Sequence, residues 1–160
     1  MAIRQKSPTF HLSLDSMRER VKSGFQSPQD GWNDETNRQY QIARAACAAA
    51  VKIYHGKGFS CTIDDAVVPN WPDVSEKLWE TDLFPVPVEL IVLVADIEIL
   101  QVRNTRRDSL HRILSSNQIM VINNAMQGWR DGYADRIVDT SLMTVDDVVD
   151  AVAEILQKRG

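Results

Sequence analysis

Apolar positions along the chain fall into two kinds of pattern, short runs and longer stretches at helical spacing, and several of the short runs end in an acid. Thr9 to Leu14 reads as a strand closing on Asp15, with a short helix from Ser16 to Lys22 behind it. Ser23 to Asn33 (SGFQSPQDGWN) carries two glycines and a proline and reads as a loop. Asn33 or Asp34 can cap a helix that runs to about Tyr54, with Ala43, Ala46, Cys47, Ala50, Ile53 and Tyr54 predicted as its buried face. Gly56 and Gly58 stop that helix, and a strand over Phe59 to Ile63 then ends in Asp64 and Asp65. A proline-broken loop, Val67 to Pro72, leads to a modest helix from Asp73 to about Glu80. Val88 to Val94 is unbroken and apolar, as in a strand covered on both faces. Asp96 opens a helix to Arg107, and a more polar helical region spans Ser109 to Tyr133 with a break near Ser115 and Ser116. A weak strand from Arg136 to Val138 ends in Asp139. Thr144 and Asp147 form a capping-box pattern before a last helix with Val145, Val148, Val149, Val152, Ile155 and Leu156 on one stripe.

Strands alternating with helices, without a sustained period-2 pattern, predict an α/β fold: a mostly parallel sheet with helices on both faces. In such folds ligands bind outside the carboxyl ends of the strands, where Asp15, Asp64, Asp65 and Asp139 are expected. A chain of 160 residues is expected to form one domain, with residues 1–8 as a polar leader. A net charge of −4 argues against a nucleic-acid partner, whose backbone requires a positive surface. The run Leu90 to Ala95 is too short to span a bilayer, and no secretion signal precedes it. Cys47 and Cys61, without a CxxC or a histidine pair, read as reduced thiols of a cytoplasmic protein. No zinc motif or Ser-His-Asp arrangement is present, and no metal ligands are assigned.

The run His11-Leu12-Ser13-Leu14-Asp15-Ser16-Met17-Arg18 resembles the second strand and acceptor-site acid of P-loop small-molecule kinases, closest to the chloramphenicol phosphotransferase-like group. Gly58 to Asp65 resembles their third strand, and Val92-Leu93-Val94 with Arg103, Arg106 and Arg107 resembles the fourth strand and the arginine-bearing lid. Val138-Asp139-Thr140-Ser141 is similar to the last strand and the loop that meets the adenine, which places Ser141 and Leu142, with Arg106, on the nucleotide side. One part of the pattern is absent: the sequence contains no G-x-x-x-x-G-K-[ST]. The only Gly-Lys pair, Gly56-Lys57, sits at a helix end. The resemblance therefore implies a kinase-like fold without its first, central strand, with Phe59–Ile63 expected to pair directly with Val88–Val94. ATP and Mg²⁺ are the implied cofactors, with weak or no binding expected here.

The resemblance makes Asp15 a general base for an acceptor hydroxyl, Asp64 a metal-side acid, and Arg103 and Arg107 a clamp for phosphoryl charge. Arg18, Trp32, Arg38 and Asp65 become candidates for contact with the small-molecule acceptor. Each has a plainer reading. Asp15 can cap the helix after it, Asp64 and Asp65 can be solvated loop acids, and the arginines can form an exposed basic face. Trp32, Trp71 and Trp79 can simply cover the core. Two functions stay open: phosphoryl transfer to a hydroxyl of a small molecule, and a non-catalytic binding domain or shortened gene product. An incomplete sheet would also favour a homo-oligomer.

Overall fold

In the computed structural model, residues 8–28, 31–69, 76–107 and 114–159 are described. The architecture is mixed α/β with short parallel strands, as the alternating pattern predicts. Two compact units divide the chain, one built mainly from residues 5–67 and 71–88 and the other mainly from residues 89–160.

The first unit contains β1 (Thr9–Ser13), α1 (Leu14–Arg18), α2 (Asp34–His55), β2 (Ser60–Asp64) and α3 (Glu76–Leu83). β1 and β2 pair in parallel, with Thr9 opposite Ser60 and Ser13 opposite Asp64, so both strands end at the same edge. Asn33 caps α2 by accepting from the amides of Glu35 and Thr36, and Asp34 and Glu35 place negative charge in its first turn. The predicted face of α2 is correct at Ala43 and Cys47 only. Ala46 is exposed, Ala50 is half-buried, and Ile53 and Tyr54 lie open to solvent, whereas Thr36, Gln39, Tyr40, Arg44, Ala48 and Val51 are buried. The stripe is rotated because three polar side chains find partners inside: Thr36 donates to the Gly31 carbonyl, Gln39 to the Gly24 carbonyl, and Arg44 to Asp82. The core of this unit is Leu14, Tyr40, Ala43, Cys47, Ala48, Val51, Trp79 and Leu83.

The second unit contains β3 (Val92–Val94), α4 (Ile97–Arg106), α5 (Ser116–Met126), α6 (Arg130–Tyr133), β4 (Ile137–Asp139) and α7 (Val145–Arg159), with 3-10 turns on either side of α6. β3 and β4 pair in parallel, Val92 opposite Ile137 and Val94 opposite Asp139. The expected strand from Val88 is thus only three residues long, and Leu93 in it is 52% exposed rather than covered on both faces. Its ladder partner is β4 while that of β2 is β1, so the expected direct pairing of Phe59–Ile63 with Val88–Val94 is not formed among the described residues. The break expected near Ser115 is the start of α5, closed by a full capping box between Ser115 and Gln118. The box at Thr144 also forms: Asp147 accepts from the Thr144 amide and hydroxyl, and the Asp147 amide donates back to Thr144 Oγ1. On α7 the predicted stripe is half-buried at Val148, Val152, Ile155 and Leu156 but exposed at Val145 and Val149. Val92, Ala95, Ile119, Trp129 and Val138 are the buried centre of this unit. No helix among the described residues is long and apolar enough to cross a membrane.

Candidate functional site

The in-register ends of β1 and β2 bring three acids to one edge of the first unit. Asp15 lies in the first turn of α1, just past the end of β1, Asp64 is the last residue of β2, and Asp65 comes next. The helix cap that competes for Asp15 is filled by Ser13, whose hydroxyl accepts from the Ser16 amide. Asp15 is therefore left 68% exposed, with the guanidinium of Arg18 at 3.3 Å as its ion-pair partner. Arg18 itself is buried; it also donates a long bond to the Gln26 carbonyl and lies over the Phe25 ring at 5.9 Å. Asp64 pairs with His11 Nε2 at 2.8 Å, both side chains being mainly exposed.

Asp65 lies in a different setting. Its Oδ2 accepts from the Tyr40 hydroxyl at 2.7 Å and from Trp79 Nε1 at 2.7 Å. Burial pushes the Asp65 carboxyl above its ordinary range; the Tyr40, Trp79 and Ala66 donors pull it down, and the charge of nearby Asp15 pushes it up. The Tyr40 hydroxyl is also raised, first by burial and then by the Asp65 charge, with Arg44 and Arg18 opposing. Trp32 is 44% exposed and packs edge-on to Tyr40 with ring centroids 5.8 Å apart. Arg44 binds Asp82 at 2.7 Å on α3 and stands over the Tyr40 ring at 6.0 Å.

Of the residues singled out from sequence, Asp15, Arg18, Asp64 and Asp65 converge on this edge, and Trp32 reaches the same neighbourhood through Tyr40. Arg38 is committed elsewhere, with two bonds to Glu35 on the exposed flank of α2. In the second unit, Arg103 does not present a free guanidinium. It donates to Thr140 Oγ1 at 2.9 Å and to the Thr140 carbonyl at 2.6 Å, tying α4 to the end of β4. Ser141 accepts from the Asp96 amide and donates to Asp139, whose carboxyl those Ser141 bonds hold below its ordinary range. Leu142 next to it is 95% exposed, and Arg106 and Arg107 are exposed at the end of α4. Trp71 lies outside the described residues. Sequence reasoning missed Tyr40 and Trp79 as partners of Asp65, and His11 as the partner of Asp64. The one available signal was strand parity, which puts His11 two residues before Ser13 and so on the side of the ladder that Asp64 shares.

The model of one protein family, described as chloramphenicol phosphotransferase-like protein, matches residues 2–157. The chain belongs to that family. No curated protein matches it in sequence comparison. Family membership accords with the kinase-like α/β fold, and kinases of this family generally use ATP and Mg²⁺.

The only Gly-Lys pair does not fit the phosphates of a nucleotide. Gly56, Lys57 and Gly58 turn off the carboxyl end of α2, and their amides donate back to Lys52, Tyr54 and His55. Such amides cannot cradle a phosphate, and the helix dipole at this end is negative. Gly58 takes φ +85 because the chain must leave the helix through a left-handed turn. No group of three or more His, Cys, Asp or Glu side chains suited to a metal ion occurs among the described residues.

Proposed function

We propose that this protein is phosphotransferase-like and acts on a hydroxyl group of a small molecule, with activity weak or absent in a chain whose sequence has no G-x-x-x-x-G-K-[ST]. The observation that carries the reading is the shared register of β1 and β2, which sets Asp15 beside Asp64 and Asp65 at one strand edge. Asp15 is exposed enough to reach a ligand, and the buried Arg18 guanidinium orients its carboxylate. In that position it acts as the base that takes the proton of the acceptor hydroxyl. Asp65 and the Trp32–Tyr40 pair form the acceptor wall, an aromatic surface with few polar anchors.

A second reading is favoured by the Gly56–Gly58 turn, whose amides are all used within the helix end: a non-catalytic domain that keeps the acceptor edge and binds a small molecule or a second copy of itself. Thermal shift separates the two. Ligand that binds only the folded state raises the midpoint, so stabilisation by millimolar MgATP supports phosphoryl transfer and a flat response removes it. In the first case, Asp15→Asn lowers turnover about 10²- to 10⁴-fold, the range of a general base. Both readings place the protein in the cytoplasm, in keeping with its two free thiols.

A further inference from the structure

Two helices carry an apolar line that the fold leaves in the open. On α2, Ile42 and Ile53 are 55% and 65% exposed, and Ala46 and Ala49 between them are exposed as well. These positions follow one another at steps of four, three and four residues, which keeps them on one side of a helix. On α7, Val145, Val149, Val152 and Leu156 repeat the same steps. Val145 is 79% exposed, and no described residue of α7 is buried. Single exposed apolar residues are ordinary, but a continuous line of them along a helix is a surface suited to a second helix. The charges around the two lines are opposite. No acid occurs from Thr36 to Ile63, and Lys52 and Lys57 are exposed at and just past the end of α2. On α7, Asp146, Asp147, Asp150 and Glu154 precede the first base, Lys158, and all four are exposed. Packing either helix against its own kind brings like charges together, whereas packing one against the other brings opposite charges together. The side-chain sizes agree. With the helices antiparallel and their dipoles opposed, Ile53 and Ile42 meet Val145 and Leu156, while the small Ala49 and Ala46 leave room for Val149 and Val152. Both lines are exposed within one chain, so the partner that fits each is a second copy.

We propose that α2 of one copy packs on α7 of a second copy through these two lines. The contact uses no residue of the acceptor edge, so it stands or falls separately from phosphoryl transfer. Sedimentation equilibrium of the whole protein is expected to show self-association. Ile53→Glu sets an acid against α7 and Val145→Lys sets a base against α2, and each alone raises the dissociation constant about tenfold or more. Mixed in equal amounts, the two variants associate again, because α7 of the one and α2 of the other are both unaltered. A protein that stays monomeric at every concentration overturns the proposal. So does loss of association in only one of the variants, which marks a helix pairing with its own kind, and so does a mixture no better than its parts. Amide exchange needs no variant: in the unaltered protein it slows in both α2 and α7 as concentration rises. Exchange that is unchanged in either helix overturns the proposal even where a variant fails to fold.

Discussion

Replacing Tyr40 by phenylalanine removes the hydroxyl that donates to Asp65 and leaves the ring between Trp32 and Arg44. A bond to a charged, partly buried acceptor is worth about 1.5–3 kcal/mol, so Tyr40→Phe is expected to lower the urea-unfolding free energy by that amount. The same change removes a donor that favours the ionised form, so the Asp65 carboxyl moves further up. The folded state already holds the Asp65 proton more tightly than the unfolded chain does. Between the ordinary value of 3.8 and its raised folded value, stability therefore falls as pH rises. Glu35 has the opposite effect: Arg38 and Gln39 lower its carboxyl from 4.5 to about 2, so its contribution is complete above pH 4.5 and is lost as pH falls toward 2. A carbon-13 titration of the carboxyl groups is expected to show the Asp65 midpoint above that of a free aspartate and the Glu35 midpoint below that of a free glutamate. Midpoints in the reverse order would contradict the burial of Asp65 and the hydrogen bonding of Glu35. The acids themselves were visible in the sequence. Their different states were not, because these depend on Tyr40 and Trp79, which lie 25 and 14 residues away from Asp65.

Among the elements, α2 shows most clearly what local patterning can and cannot specify. Its start was readable from Asn33 followed by two acids, because capping is a matter of adjacent residues. Asn33→Ala frees the amides of Glu35 and Thr36, and the expected loss is about 1 kcal/mol, read as a lower unfolding midpoint. The buried side was misjudged beyond Cys47, because alanine, isoleucine and tyrosine outweighed Thr36, Gln39 and Arg44 in a reading by hydropathy alone. Polar side chains enter a core only when specific partners wait there, and those partners come from the loop at Gly24 and Gly31 and from α3. In the second unit, α4 has no buried residue and is tied to the end of β4 by Arg103 and by the Asp96 amide at its start, which donates to Ser141. Arg103→Gln is expected to speed amide exchange at Thr140 and Ser141, and unchanged exchange would show that the tie carries no load.

Across the whole molecule, burial separates residues whose composition looks alike. Trp129 is 1% exposed and Leu142 is 95% exposed, although both have mainly polar neighbours in the sequence. Trp129→Ala is expected to cost about 3–5 kcal/mol, and Leu142→Ser less than about 0.5 kcal/mol, by chemical denaturation. The order of strands and helices, the capping signals at Asn33 and Thr144, and the acids after β1 and β2 followed from the sequence, since each depends on residues within a few positions of one another. Strand pairing, the rotation of α2, the neutral company around Asp65 and the tie from Arg103 to Thr140 were decided by tertiary structure alone. Most of those contacts join residues 14 or more positions apart, and whether such groups meet depends on how the elements pack.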